Sequence, residues 1–565
     1  MTESSLNRPG RCPVRATPPS DAAASAAPAP ELVQLASRPL NRRTVLRVGG
    51  VGAMAATIGT VGAAAWTPLR AKAAGTRPMG SMAQAASGPL PDIQFDIGAF
   101  VHPAQTIAGV LVDFGVLYTF LAPASLTRNP TKHDQAVLAA ALNTIEQAYA
   151  FSPSGIFTFV AYGVPYFNRL PKSLVSSAMP RLTANTSRFA LEEAVPGPTD
   201  VSPLNPGVTK RLYNVPVQIE ANDVLFTLRS DSLVNITEVA AWFNGSSILN
   251  NQFVQSPAFN GLFNFKTPRL NFVQPGLPRK VAGANNFSFT NQINPASSMW
   301  MGFVDQQVNG SAPNGATVTF AGSSSARLTT AKPGDYFDNG SIQHLSHVID
   351  DLEQYYSVDG TNSVEPETFG ERVQYMFRSK TPSGAPGLPF PQDPNDAFTN
   401  GGGLGAPKGN LTAQQNSAFL PNQFNGPNDQ ATNFDPEATT KTYRVGHLAG
   451  LQRSSRAVDG TPLHIRNDGP GLSSQDVPDG SVQPTLEFTV FVPTAEFFRV
   501  MRINSASLDY VKAGQQGGTA ASVPPGVEAA DPGDDGLERF TQATRRQNFL
   551  MPPRRHRAFP LLEET

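Results

Sequence analysis

The apolar positions of the chain change in spacing from one segment to the next, and these changes predict the elements. Runs rich in β-branched and aromatic residues predict strands at 108–121, 156–164 and 224–228. Apolar residues three and four positions apart predict amphipathic helices at 131–149, starting at Asn129-Pro130-Thr131, and at 232–242. Strand–helix–strand followed by strand–helix is the content of a split β-α-β, ferredoxin-like domain.

A second set of elements follows the first. The pattern predicts a helix at 341–356, strand or loop around His447, a central strand at 486–492 and a helix at 494–503. The predicted fold class is therefore α+β. It consists of two ferredoxin-like domains with antiparallel sheets, of the dimeric α/β-barrel type, at 90–320 and 321–515, with long irregular insertions.

Two segments have a composition that does not predict packing. Residues 381–435 contain Gly-Gly-Gly-Leu-Gly at 401–405 and many Asn, Gln and Pro, which indicates a long insertion across the surface. Residues 516–565 begin with a Gly/Pro/Asp-rich stretch and are expected to form a flexible tail. The apolar residues at 545–562 favour docking of its end on the body or on a neighbour.

The N-terminal segment has the composition of an export signal. Arg42-Arg43 precede a weakly apolar, Gly/Ala-rich run at 48–66, and Ala71-Lys72-Ala73 follows. This pattern predicts a twin-arginine signal at 1–73, cleaved after Ala73 once the twin-arginine translocase has exported the chain. The expected location is extracellular, periplasmic or in the cell envelope. An uncleaved membrane anchor is the alternative, although the run is short and rich in Gly and Ala.

Charge and cysteine content exclude several classes of function. The 43 basic and 44 acidic residues nearly balance, so nucleic-acid binding is not expected. Cys12 is the only cysteine and lies in the predicted signal, so the mature chain lacks disulfides, thiolate metal sites and cysteine nucleophiles. Any metal must be bound by His, Asp, Glu or a prosthetic group.

Three polar residues, far apart in sequence, form the candidate site. Asp305 follows Gly302-Phe303-Val304, His447 follows Gly446, and Arg466 precedes an Asn-Asp-Gly turn. A His can ligate iron, a carboxylate can move a peroxide proton, and an Arg can stabilise negative charge on oxygen. Each also has an ordinary interpretation, namely a core histidine, an Asp that caps its own turn and a surface arginine.

The order and context of these residues resemble the dye-decolorising (DyP-type) haem peroxidase superfamily. The likeness covers residues 105–515 in patches, including 161–167, 224–231 and Gly384-Ala385-Pro386. Asn339-Gly340-Ser341 also resembles the start of a Gly-Gly-Ser-led strand of the family, which a Leu-Glu pair follows, here Leu352-Glu353. The family's G-x-x-D-G motif reads Gly302-Phe303-Val304-Asp305-Gln306 here. Gln306 therefore replaces the last glycine of the motif, while the aspartate is kept.

The resemblance implies a haem peroxidase with named site residues. His447 would ligate the iron of haem b, Asp305 and Arg466 would be catalytic, and Arg466 would also contact the cofactor. Hydrogen peroxide would be reduced and an organic reductant oxidised in one-electron steps, and a homo-oligomer is a further expectation. Two alternatives stay open: a haem-binding or haem-handling protein of the same fold without turnover, and a haem-free structural or interaction protein of the envelope.

Two further histidines have a spacing that could bind a metal. His344 and His347 would share one face of the helix predicted at 341–356. No acidic or cysteine ligand lies at a helpful spacing, which favours a solvated or core pair.

Overall fold

The computed structural model describes residues 89–107, 110–194, 217–274, 276–293, 298–301, 315–323, 328–356, 464–496 and 540–565. The signal region 1–73, the insertion 381–435, Asp305 and His447 lie outside these ranges, and the predictions made for them stay predictions. In the described ranges, no helix combines the length and apolar character needed to cross a bilayer.

The described elements are short, and strands outnumber helices. The strands are β1 His102–Ile107, β2 Val110–Phe114, β3 Tyr118–Leu126, β4 Phe157–Gly163, β5 Gln218–Ile219, β6 Val224–Ser230, β7 Ile248–Leu249, β8 Gln252–Phe253, β9 Phe263–Phe265, β10 Arg269–Phe272, β11 Ser341–Asp350, β12 Ile465–Arg466, β13 Gly469–Ser473, β14 Gln483–Val492 and β15 Thr541–Met551. The α-helices are α1 Lys132–Ala148, α2 Val164–Phe167, α3 Lys172–Ala178, α4 Leu233–Phe243, α5 Leu277–Ala284 and α6 Leu352–Tyr355. Short 3₁₀ turns occupy Gly315–Val318, Arg554–His556 and Leu562–Glu564.

Eight of the strands close into one antiparallel barrel. Their order around it is β3, β6, β4, β15, β11, β14, β13 and β10, and β10 pairs with β3 to complete the circle. Strands β9, β5 and β12 extend this sheet beside β3, β15 and β14. Closure leaves no free edge on the eight strands of the circle. The prediction of a mixed α+β fold with an antiparallel sheet is confirmed.

The barrel strands fall into two sets of four with the same internal order. The first set is β3, β4, β6 and β10, and the second is β11, β13, β14 and β15. The spatial order is β10, β3, β6, β4 in the first set and β15, β11, β14, β13 in the second. In both sets this is the order fourth, first, third, second along the chain. The sets join where β10 pairs with β13 and where β15 pairs with β4.

The sequence signals for the longer helices are confirmed in detail. Thr131 caps α1 as part of a capping box with Asp134, whose side chain also accepts bonds from Arg128. Ser232 caps α4 by accepting a bond from the backbone of Asn235. Both helices bury their apolar stripe against the outer face of the barrel, so hydrophobic periodicity located them correctly.

Alternation along the strands separates an inner and an outer core. The inner cluster includes Leu121, Phe157, Phe159, Leu345, Phe491 and Phe549. The outer cluster, under the helices, includes Val160, Tyr162, Phe226, Val490 and Leu550. Neighbouring residues of one strand thus belong to different cores, as the two-residue period of a strand requires.

The segment before β1 closes a gap in the barrel wall. Strands β15 and β4 pair at two positions only, Phe549 with Gly163 and Leu550 with Tyr162. Beyond them the fully buried Gln94 donates to Val160 O (3.0 Å) and Pro552 O (2.7 Å), and its Oε1 accepts from Val160 N (2.9 Å). One side chain therefore replaces the missing ladder bonds.

Two predicted elements are wrong. Residues 341–350 form the central strand β11, in agreement with the strand that the resemblance implies, and not the helix that the apolar spacing predicts. Pairing with β14 and β15 on both sides overrides the helical spacing of its apolar residues. The flexible tail expected at 516–565 is wrong for its last part. Residues 541–551 form β15 in the middle of the barrel, and Phe559 and Leu561 are buried behind it.

Candidate functional site

Of the three predicted site residues, Arg466 lies in the described ranges. It lies on β12, where Ile465 pairs with Phe491 and Arg466 pairs with Val490 of β14. Ile465 packs against the inner cluster and Val490 belongs to the outer one, so Arg466 faces outward and is half-buried. Asp305 and His447, which would complete the site, lie outside the described residues.

A row of outward-facing residues continues from Arg466 across the outer face of the second strand set. Val490 pairs with His344 of β11, and His344 pairs with Asn548 of β15. Directly opposed residues of neighbouring strands lie on the same face, so Arg466, Val490, His344 and Asn548 follow one another across four strands. Phe488, two positions before Val490, lies on the same face.

His344 is a satisfied core histidine. It is fully buried, its Nδ1 lies 2.7 Å from Asn548 Oδ1, and its Nε2 lies 2.7 Å from Ser346 Oγ. Asn548 in turn donates to Glu192 O at 3.0 Å. Because both ring nitrogens are engaged, no nitrogen lone pair is left for a metal.

His347 lies on the opposite, inner face of β11. Its Nδ1 is 2.8 and 3.1 Å from the two carboxylate oxygens of Glu487, and the exposed fractions of the two side chains are 0% and 2%. Thr485 Oγ1 donates to Glu487 Oε1 at 3.1 Å. Because β11 is a strand, residues three apart point to opposite faces, so the predicted pairing of His344 with His347 on one helical face is wrong.

Further ion pairs lie near this histidine at one end of the barrel. Arg269 Nη2 donates to Glu220 Oε2 at 2.6 Å, and Arg545, the cross-strand neighbour of His347, binds both carboxylate oxygens of Asp476 at 2.7 Å. Arg545 also lies 3.7 Å from Glu220, which links the pairs. A charge buried in a barrel needs a partner of opposite charge. These ion pairs connect Arg269 of the first strand set with Arg545 of the second through Glu220.

Burial raises the pKa of Asp350 well above its usual value, and the charge of Glu487 raises it further. The environment of Asp350 therefore favours the neutral form of its carboxyl group. The sequence analysis did not identify any of these inner residues. One signal was present: Glu487 interrupts the apolar strand 486–492, and a charge at such a position requires a buried partner.

On the outer face of the second strand set, Val490 and His344 are fully buried and Phe488 packs against the outer cluster. Arg466 is half-buried, and a guanidinium can hold a carboxylate in two hydrogen bonds. Within the described ranges, no group of three or more His, Cys, Asp or Glu could hold a bare metal ion.

Comparisons with known proteins give a family match and distant structural likenesses. Residues 118–380 match DUF7405, described as a family of unknown function. A search of curated proteins finds no match.

Solved structures of DyP-type peroxidases are similar to the chain over most of their length. The putative enzyme from Shewanella oneidensis shares 14% identity at a TM-score of 0.38, with 80% of this chain and 96% of that chain covered. The enzyme from Cellulomonas bogoriensis shares 12% identity at a TM-score of 0.41, with 81% and 95% covered. The encapsulated enzyme from Mycobacterium smegmatis shares 12% identity at a TM-score of 0.39, with 80% and 96% covered. These identities and TM-scores are too low to assign a function.

Proposed function

We propose that the chain is an exported haem peroxidase that reduces hydrogen peroxide and oxidises an organic reductant in one-electron steps. The observation that carries the proposal is the position of Arg466. It lies half-buried on the outer face of the second strand set, in the half of the chain that also contains His447, the expected haem ligand. The sequence context of Asp305 and His447 supports the same activity.

The architecture we propose is a pair of ferredoxin-like halves, at 90–320 and 321–515, with β15 completing the second. The duplicated strand order supports this division, because each set repeats the same arrangement of its first to fourth strands. The two halves pair edge to edge, β10 with β13 and β15 with β4, and so close one barrel.

Each site residue has a defined task in this proposal. Haem b, held by His447, would supply the redox chemistry of peroxide reduction and one-electron oxidation. Asp305 takes the proton from one peroxide oxygen and delivers it to the other, which then leaves as water. Arg466 stabilises the negative charge that develops on oxygen, and its pairing to β14 keeps it in place.

Replacing His447 tests the cofactor assignment. We expect His447→Ala to lose most of the Soret absorbance after reconstitution with haem while its circular dichroism stays unchanged, because the iron loses its protein ligand. His344→Ala is the matched control and should keep the absorbance, since both nitrogens of His344 are engaged within the barrel wall. Undiminished absorbance in His447→Ala would contradict the assignment.

The same preparations distinguish the alternatives. A wild-type chain that binds no haem favours the structural or interaction protein. A chain that binds haem but does not oxidise a dye with peroxide favours the haem-handling protein.

We also propose export by the twin-arginine pathway with cleavage after Ala73, supported by Arg42-Arg43 and the apolar run that follows. Changing both arginines to lysine should retain an uncleaved precursor in the cytoplasm, measured by fractionation and mass spectrometry. Normal export of that variant would contradict the assignment.

A further inference from the structure

The strand that carries Arg466 is short and is paired along one edge. β12 is two residues long, and in the described part of the chain it pairs with β14 alone. Ile465 pairs with Phe491, and Asn467 N donates to Thr489 O at 2.9 Å just beyond the strand. Elements with few backbone bonds open at a low cost in free energy. The position of the guanidinium therefore depends on what packs against the residues beside it.

Ile465 is the inward-facing anchor of this strand. It packs against the inner cluster, to which its cross-strand partner Phe491 also belongs. Directly opposed residues on one face of a sheet have Cβ atoms about 5 Å apart. Successive residues of a strand point to opposite faces, so the anchoring of Ile465 inside the barrel fixes the backbone from which Arg466 projects outside it.

The ring of Phe491 is packed by an aromatic residue of the segment before β1. Phe95 stacks on Phe491 with ring centroids 4.5 Å apart and planes 9° from parallel, and both rings are buried. Phe159 of β4 meets the same ring edge to face, at a centroid distance of 6.4 Å. Among the described residues, Phe95 is thus the nearest aromatic neighbour of Phe491. Because interiors are closely packed, loss of the Phe95 ring would leave a cavity beside Phe491.

Phe95 is itself held in place by its neighbours in sequence. Gln94, which closes the gap between β4 and β15, fixes the backbone one residue before it. Ile93 and Ile97, two positions to either side, belong to the inner cluster. Phe95 therefore reaches the barrel interior from a segment that is attached independently of β12, and it can support that strand from inside.

We propose that Phe95 is a positioning residue for Arg466, acting through the ring of Phe491. Ile465 carries this support from the inside of the barrel to the outside. The inference rests on the proposed function, in which Arg466 stabilises the negative charge that develops on oxygen. Such a group must be fixed where the charge develops, and a misplacement of about 1 Å can slow a reaction about 10²-fold.

Hydrogen exchange of β12 tests the support without haem or peroxide. In Phe95→Ala the amide of Asn467, which bonds β14, should exchange at least about 10-fold faster than in the wild type, because the strand opens more often. Phe151→Ala is the matched control and should leave this amide unchanged. Phe151 is a buried phenylalanine of the same inner cluster, but its ring packs against Phe100 and Phe157.

Two outcomes of this measurement would overturn the proposal. One is unchanged exchange of the Asn467 amide in Phe95→Ala, and the other is equal acceleration in Phe95→Ala and Phe151→Ala. Should either alanine variant fail to fold, Phe95→Leu and Phe151→Leu are compared in the same way, since leucine keeps apolar bulk and removes the stacked ring.

The reaction with peroxide separates positioning from a general loss of stability. In the haem-loaded protein, Phe95→Ala should slow the reaction by about 10–10²-fold. The double variant Phe95→Ala/Arg466→Leu should be no slower than Arg466→Leu alone, because the position of a group that has been removed no longer matters. A wild-type rate in Phe95→Ala would overturn the proposal, as would a double variant slowed by the product of the two single effects. If Arg466→Leu reacts at the wild-type rate, the proposed function is wrong, and the exchange of the Asn467 amide still decides whether Phe95 supports β12.

Discussion

Asp305→Asn is expected to slow the reaction of the haem-loaded protein with hydrogen peroxide by about 10²–10⁴-fold, the usual cost of removing an oriented proton-transfer group. The amide keeps the shape of the carboxylate but cannot accept the peroxide proton. Haem binding should be unchanged, because Asp305 is assigned to the peroxide and not to the iron. Stopped-flow mixing, followed at the Soret band, measures the rate.

Arg466→Leu should slow the same reaction by about 10²–10³-fold, since it removes one electrostatic stabiliser while keeping much of the bulk. Arg128→Leu is the control, because Arg128 is an arginine whose side chain is 43% exposed and ion-paired to Asp134 beside α1. It should react at the wild-type rate. If both Asp305→Asn and Arg466→Leu also react at that rate, the peroxidase assignment is wrong even for a protein that binds haem.

Apolar spacing and helix-start residues correctly predicted the elements whose conformation is determined within one segment of the chain. Thr131 and Ser232 precede α1 and α4 where the two predicted helices begin, because the start signal and the apolar stripe of a helix lie within one segment. The strands β4, β6 and β14 were found for the same reason. Strands β4 and β6 are buried on both faces, so their segments consist almost entirely of apolar residues, and this run is visible in the sequence.

Long-range pairing decided the elements that the sequence missed. The apolar residues of β11 are spaced as in a helix, and only two neighbouring strands make the segment extended. β15 contains the polar residues Arg545, Gln547 and Asn548, which suggest a surface. Their respective partners Asp476, Asn222 and His344 come from distant segments. The inner ion pairs were missed for the same reason, since no spacing along the chain relates Glu220 to Arg269.

The inner pair of His347 and Glu487 should be the most sensitive point of the described fold. Strand β11 contributes the imidazole and β14 the carboxylate, and the exposed fractions of the side chains are 0% and 2%. Removing one partner of a buried pair costs more than removing both, because the remaining group stays buried without its counterpart.

We therefore expect His347→Phe to lower the free energy of unfolding by about 3–5 kcal/mol, since Glu487 then keeps only the hydroxyl of Thr485 as a bonding partner among the described contacts. The double variant His347→Phe/Glu487→Leu should recover most of that loss, because no carboxylate is then left without its partner between β11 and β14. Arg128→Ala, which breaks an exposed pair with Asp134, should cost less than about 1 kcal/mol. Urea unfolding of the three variants and the wild type, compared at equal m-values, measures these differences. A double variant no more stable than His347→Phe would show that the packing of the imidazole, rather than its pairing with Glu487, holds β11 to β14.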